Sequence, residues 1–272
     1  MLENTNVRLR RYKARVHHTL RNSSTYADTT INEIKAFIGV LILAASRKDN
    51  PLSAEEIFDP KFSPAFYRCA LSLKRFQLLS SALRFDDSLT RAERLQDDQF
   101  THIRGLWQDV MGKCRENYIA GNCVTVDEQL IPFRGNCRFR VYMPQKPGKY
   151  GLKIYMVCDS ATMYCLDTIP YAGKAHTADS DRGLTSTDSL TLDLLGDLVQ
   201  PKRTLCCDNY YTSFPLARIL RANRMHIVGT LRTKRELPAK AVSDSWGLSD
   251  GESTALYNHE EGISVLYKQK RK

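Results

Sequence analysis

No CxxC pair occurs among the eight cysteines, and none of the six histidines stands at ligand spacing from a cysteine. A structural zinc site within these residues is therefore not expected. The cysteines are scattered, several inside apolar strand-like runs, as reduced and buried thiols are. No apolar run approaches the about 20 residues that cross a bilayer, the longest being AFIGVLILAA at 36–45. The first twenty residues, MLENTNVRLRRYKARVHHTL, lack the apolar centre of a secretory signal. Internal repeats and low-complexity tracts are missing too. These absences predict an intracellular protein, cytosolic or nuclear, with no membrane partner.

What is present is a chain of 272 residues with 42% apolar residues, enough for one large domain or two smaller ones with a real core. Forty Lys plus Arg against 30 Asp plus Glu give a net charge of +10. That balance favours a polyanionic partner without identifying it.

Residues 1–118 read as helical. TINE at 30–33 and SAEE at 53–56 have the hydroxyl-x-x-Glu form of a capping box, in which each end satisfies an amide that a new helix leaves unpaired. Ile34, Phe37, Ile38, Leu41 and Ile42 then form an apolar stripe at helical spacing. The stretches at 65–85 and 102–119 repeat the pattern with basic residues between.

Near residue 120 the rhythm changes. CVTVDEQLIPF, GLKIYMVCD, MYCLDTIPYAG, RTLCCDN and MHIVGTLR are short, rich in β-branched and aromatic residues, and bounded by Gly, Pro, Asn or Asp. Amphipathic helices are predicted at 188–199 and 213–224, between the third and fourth and the fourth and fifth of these strands. The order strand-strand-strand-helix-strand-helix-strand predicts an α/β fold with a mixed sheet. Its first three strands pair antiparallel, and the crossovers make the last two parallel. Beyond 232 the sequence is polar and weakly patterned, with one more possible strand in GISVLYKQKRK.

Ligands of open α/β sheets gather at the carboxyl ends of central strands. Asp127 follows Val124-Thr125-Val126 and Asp208 follows Leu205-Cys206-Cys207, each at such an end. Carboxylates brought together there repel unless a cation lies between them, and magnesium takes hard oxygen ligands while keeping positions for water or phosphate. Such a site suits phosphodiester chemistry in a nuclease, recombinase or transposase. Aspartate also starts turns at strand ends, so the pair alone leaves a structural role open. Glu128 points to the opposite strand face and is expected to be a hydrogen-bond or salt-bridge partner. Asp159 reads as a turn residue, and Asp179, Asp181 and Asp188 as loop and helix-cap residues. The segment 134–153 carries Arg134, Arg138, Arg140, Lys146, Lys149 and Lys153 among Phe139, Tyr142 and Tyr150. Cations that hold phosphates beside rings that stack on bases make it the candidate DNA contact.

VTVDEQLIPFRGNCRFRVYMPQKPGKYGLKIYMVCDS and CCDNYYTSFPLARIL closely resemble the transposase of the piggyBac family and its domesticated derivatives. The likeness extends through EIKAFIGVLILA, RFQLLSSALRFDD, TRAER, HIRGLW and IVGTLRTKRELP, so it covers nearly the whole chain. The resemblance implies a helical dimerisation and DNA-binding domain at 1–118, an RNase H-like catalytic core at 119–232 and the start of an insertion domain at 233–272. It implies that Asp127 and Asp208 are the first two of three catalytic, metal-holding aspartates, with Mg2+ as cofactor. Transposon ends and a TTAA target are the implied DNA, a homodimer the implied assembly and the nucleus the implied residence. The third aspartate of the family stands in a GGVDxxD-like motif, which none of Asp244, Asp250, Glu252, Glu260 and Glu261 matches. The expectation is a transposase or transposase-derived protein whose catalytic set is incomplete in this chain. The alternative is a domesticated DNA-binding or interaction protein without catalysis.

Overall fold

The computed structural model describes residues 1–20, 23–49, 51–173, 179, 183–231, 248–249 and 251–268. Asp181, Asp244, Asp250 and the terminal residues 269–272 lie outside the described residues. The chain divides into two units, Met1–Asp109 and Val110–Lys272.

Hydroxyl caps start several helices of the first unit. Helix α1 (Leu2–Arg15) is followed by α2 (Ile31–Ser46), where Thr30 accepts from the Glu33 amide. Only half of the expected capping box forms there, because the Glu33 carboxylate turns to Arg75 instead, with contacts of 2.7 and 2.6 Å. The box at α3 (Ala54–Ile57) is complete between Ser53 and Glu56. The stretch at 65–85 breaks into α4 (Ala65–Ala70) and α5 (Leu73–Ala82), since the Ser72 side chain caps a new helix on the Arg75 amide. Helices α6 (Arg91–Asp97) and α7 (Arg104–Glu116) follow.

Leu9, Phe37, Val40, Tyr67, Phe76 and Leu79 centre the apolar core of this unit. The buried face of α2 is Ile34, Phe37, Val40 and Ala44, while Ile38, Leu41 and Ile42 are exposed. In a run as uniformly apolar as AFIGVLILAA several stripes fit the helical period, and tertiary packing chooses among them. Arg75 is buried in this unit, and its remaining donors reach the carbonyls of Thr25 and Ala27 at 2.6 and 3.0 Å.

The second unit holds the mixed sheet. Strands β1 (Cys123–Pro132), β2 (Val141–Tyr142), β3 (Tyr150–Asp159) and β4 (Cys165–Pro170) precede helix α8 (Ser186–Leu195). Strand β5 (Thr204–Cys207), helix α9 (Phe214–Ala222) and strand β6 (His226–Gly229) follow. The order is β2-β3-β1-β5-β6, with β4 also on β3. β1 pairs antiparallel with β3 and parallel with β5, and β5 pairs parallel with β6. This is the predicted strand-strand-strand-helix-strand-helix-strand arrangement, with β1 and the first parallel strand adjacent at its centre and with the two-residue edge strand β2 added inside the segment read as a loop.

Alternation decides the two faces. Val124, Val126, Val157 and Leu205 are fully buried with Leu194, Leu195, Leu216 and Leu220 of α8 and α9. Each aliphatic side chain buried there contributes about 2 kcal/mol. The intervening residues Thr125, Cys158 and Cys206 lie on the other face and are half-buried. The thiols are free, as expected, but none is buried: Cys69 and Cys123 are exposed and the other six half-buried. Cys158 and Cys206 sit at strand positions that point away from the helix-covered core, whereas Cys207 packs against it, a distinction that their apolar neighbours in sequence do not show.

Past 232, β7 (Ser253–Asn258) and β8 (Ile263–Lys268) form a separate antiparallel hairpin. The first of these strands goes beyond the sequence reading, because STALYN carries little apolar alternation and is mostly exposed.

Candidate active site and nucleic-acid interface

The parallel ladder between β1 and β5 ends with Val126 opposite Cys207. One residue further along each strand stand Asp127 and Asp208, on the face shared by Thr125 and Cys206 and away from the helix-covered core. Both aspartates are exposed. Asp127 Oδ1 accepts from the Glu128 amide at 2.7 Å, and Asp208 Oδ1 accepts from the Tyr210 amide at 2.8 Å. The carboxylates are thus oriented by adjacent backbone while remaining open to solvent.

The turn after β5 is anchored along its length. The Asp208 carbonyl accepts from the Thr212 hydroxyl at 2.7 Å and from its amide at 3.2 Å. Thr212 Oγ1 also lies 3.3 Å from Cys207 Sγ. Ser213 caps α9 through the Leu216 amide and donates to Asp188 at 2.5 Å. Asp188 is buried and is the third helical residue of a capping box with Thr185, rather than the cap itself. The starts of α8 and α9 are thereby joined beside the turn that carries Asp208.

Glu128 occupies the opposite side of β1 from Asp127. Its Oε2 accepts from the Tyr211 hydroxyl at 3.0 Å, and its Oε1 lies 3.2 Å from Lys146 Nζ, which also donates to the Glu128 carbonyl at 3.2 Å. Burial, followed by the Glu128 charge, pushes the Tyr211 phenol well above its ordinary value. The sequence placed Glu128 on this face as a polar partner but did not reveal which residues it meets. The tyrosine pair that follows Asp208 in CCDNYY was the available signal.

Opposite Thr125 on β3, Cys158 pairs in register with Cys165 of β4. A hydrogen bond from the Cys165 thiol holds Cys158 down at about 7, against the effects of burial and of Asp127. Asp159 is a turn residue: its carboxylate accepts from the amides of Gly121, Ala161 and Thr162. Those bonds, with Gly121 first, hold its pKa below the ordinary value.

The six cations of 134–153 separate into two kinds. Arg134, Arg138, Arg140 and Lys149 are exposed, whereas Lys146 and Lys153 are half-buried. Lys153 Nζ lies 4.6 Å from the Tyr155 ring centre and 4.8 Å from that of Tyr210, and Lys146 is held by Glu128. Arg140 donates to the carbonyls of Arg134 and Gly135 at 3.1 Å each and lies over Tyr150, shaping the loop it belongs to.

Two exposed carboxylates at adjacent strand ends are the hard oxygen donors that a magnesium ion takes, with water or phosphate oxygen completing its shell. Among the described residues no group of three or more His, Cys, Asp or Glu side chains is placed to hold a metal ion. The carboxylates of Asp127 and Asp208 are of the donor type that fits such an ion. No helix among the described residues is long and apolar enough to cross a membrane.

Residues 1–272 match the family model described as Transposase IS4. The chain is similar to a solved piggyBac transposase, a cryo-EM synaptic complex with hairpin DNA, at 35% identity and a TM-score of 0.85. That similarity covers 95% of this chain and 53% of the other, so the chain spans about half the length of that relative. A Mos1 transposase paired-end complex with the left transposon end aligns at 14% identity and a TM-score of 0.25, over 80% of this chain and 90% of that one. With a full-length family match and a third of its residues shared with a solved member across nearly all of its fold, this chain belongs to the piggyBac-type transposases of the Transposase IS4 family.

Proposed function

We propose that this chain acts on DNA as the helical and RNase H-like part of a piggyBac-type transposase, with Asp127 and Asp208 as its catalytic, metal-holding carboxylates. The observation that carries this reading is their shared position, one residue past the Val126–Cys207 pairing on a single open face. Residues 1–118 then serve dimerisation and DNA binding, 119–232 the catalytic core, and 233–272 begin an insertion domain. The DNA is a transposon end with a TTAA target, and the place of action is the nucleus.

Magnesium, when bound, supplies Lewis-acid stabilisation at a phosphodiester and lowers the pKa of a water nucleophile. Asp127 and Asp208 would hold it, each oriented by the amide that its Oδ1 accepts. Arg134, Arg138, Arg140 and Lys149 offer exposed positive charge to the phosphate backbone, and Tyr142 and Tyr150 are exposed beside them. Lys146 and Lys153 support that surface from within the fold.

A second reading is a DNA-binding protein without catalysis, favoured by the lack of a third metal-holding side chain among the described residues. Terminal-repeat DNA incubated with the chain and magnesium distinguishes the two. Cleavage or strand joining that is lost in both Asp127→Asn and Asp208→Asn supports the catalytic reading, and activity that survives both substitutions overturns it. Salt-sensitive DNA binding with no cleavage by the unsubstituted chain supports the second reading.

A further inference from the structure

The β1–β5 ladder ends at Val126 and Cys207, so no backbone pairing holds the two strand ends together where Asp127 and Asp208 stand. Two carboxylates at such an end repel each other when no cation is bound. Ser213 anchors the turn carrying Asp208 to the start of α8 through Asp188, which leaves its position against β1 to be set by other contacts. A side-chain bond crosses the gap: the Tyr211 hydroxyl donates to Glu128 Oε2 at 3.0 Å. Both partners are fixed from behind. Tyr211 is fully buried, with its ring edge-on to Tyr210 at 4.9 Å, and Glu128 is held through Oε1 by Lys146. Through Thr212 and the Asp208 carbonyl, the same turn closes directly onto the residue that bears the second carboxylate.

We propose that Glu128 is a positioning residue for the Asp127–Asp208 pair, clamping the Asp208 turn to β1 through Tyr211 so that the carboxylate spacing is set before a cation arrives. This rests on the reading of Asp127 and Asp208 as metal-holding residues. A preformed spacing matters because a site whose ligands must be drawn together on binding loses affinity to the cost of ordering them.

The clamp works by accepting a hydrogen bond, which separates it from a role for the Glu128 charge. A glutamine at 128 keeps an acceptor for Tyr211 but not the charge, whereas an alanine keeps neither. Binding of Mn2+ to the full chain, followed by the electron paramagnetic resonance signal of the free ion, gives a readout independent of DNA chemistry. Thermal unfolding in a chelator reports folding alongside it. Tyr211→Phe and Glu128→Ala are each expected to weaken Mn2+ binding by about tenfold, as loss of an outer-shell partner does. Glu128→Gln should recover most of that loss, and the Tyr211→Phe/Glu128→Ala double variant should bind no worse than the weaker single variant. Three results overturn the clamp: unchanged Mn2+ affinity in Tyr211→Phe, a Glu128→Gln variant as weak as Glu128→Ala, or additive losses in the double variant. Asp127→Asn and Asp208→Asn measured beside them identify the other failure. If neither lowers Mn2+ affinity, the metal-site reading itself falls and the clamp with it.

Discussion

Asp127 and Asp208 follow Val126 and Cys207, the last paired residues of two adjacent parallel strands, and so share one open face of the sheet. Their proximity is a consequence of register: a slip of one residue in β5 would turn Asp208 toward the helix-covered side. If the two hold a cation as proposed, removing either charge removes one of its two anionic ligands. Asp127→Asn and Asp208→Asn should each weaken Mn2+ or Mg2+ binding by at least about tenfold, a change of about 1.4 kcal/mol. Calorimetric titration of the metal into the apo chain measures it, and affinity unchanged from the unsubstituted chain in both variants would remove the site.

The cations of the basic segment should separate into two phenotypes. Arg134, Arg138 and Lys149 are exposed, so changing each to Ala should weaken DNA binding and lower the slope of log affinity against log salt by roughly 0.9 for each phosphate no longer neutralised. Lys146 is half-buried against Glu128, so Lys146→Ala should lower the thermal midpoint while leaving that slope nearly unchanged. Fluorescence anisotropy at several salt concentrations, paired with thermal melts, checks both halves. A flat salt response in the unsubstituted chain would argue against phosphate binding altogether.

Much of the core was legible because its signals are local. Val124-Thr125-Val126 alternates as a half-covered strand does, Leu205-Cys206-Cys207 is a short apolar run closed by Asp-Asn, and the helices between the later strands require crossovers that make β5 and β6 parallel. That sufficed to bring Asp127 and Asp208 to neighbouring ends. The less legible features depend on interactions between distant residues. Glu128 is polar on either reading of the sequence, and only the fold shows that it receives Tyr211 and Lys146. Arg75 looks in sequence like a surface residue of an amphipathic helix, yet it is buried against Glu33 and two backbone carbonyls. The exposed strand Ser253–Asn258 carries no sequence signal because its pairing with β8, rather than a buried face, makes it a strand.

Gly229 carries a demand that its sequence context hides. A Cβ there would come within 2.2 Å of Thr212 Oγ1 and 3.0 Å of the Cys207 carbonyl. Thr212 is the residue that closes the turn onto Asp208, so it has little freedom to retreat. Gly229→Ala should therefore destabilise the second unit by about 1–3 kcal/mol, the usual scale of overpacking. It should also weaken metal binding, by displacing the turn that bears Asp208. Urea unfolding and a metal titration on the same variant test the two effects together, and a variant with native stability would show that the turn yields freely.

Glu33 and Arg75 give the helical unit a defined acid limit. The guanidinium of Arg75, through hydrogen bonds of 2.6 and 2.7 Å, holds the Glu33 carboxyl below its ordinary value, against the opposing effect of burial. A carboxyl with a depressed folded pKa contributes stability that is present above its unfolded pKa, about 4.3, and is lost as pH falls through the folded value. Replacing it with Gln leaves the buried Arg75 without its counter-charge, so Glu33→Gln should cost about 2–3 kcal/mol near neutral pH. The difference from the unsubstituted chain should shrink as pH falls below the unfolded value and through the lower folded one, where the native carboxyl also becomes protonated. Urea midpoints followed by helical circular dichroism from pH 7 down to pH 3 measure that convergence, and a gap that stays constant across the range would show that the Glu33 charge contributes nothing.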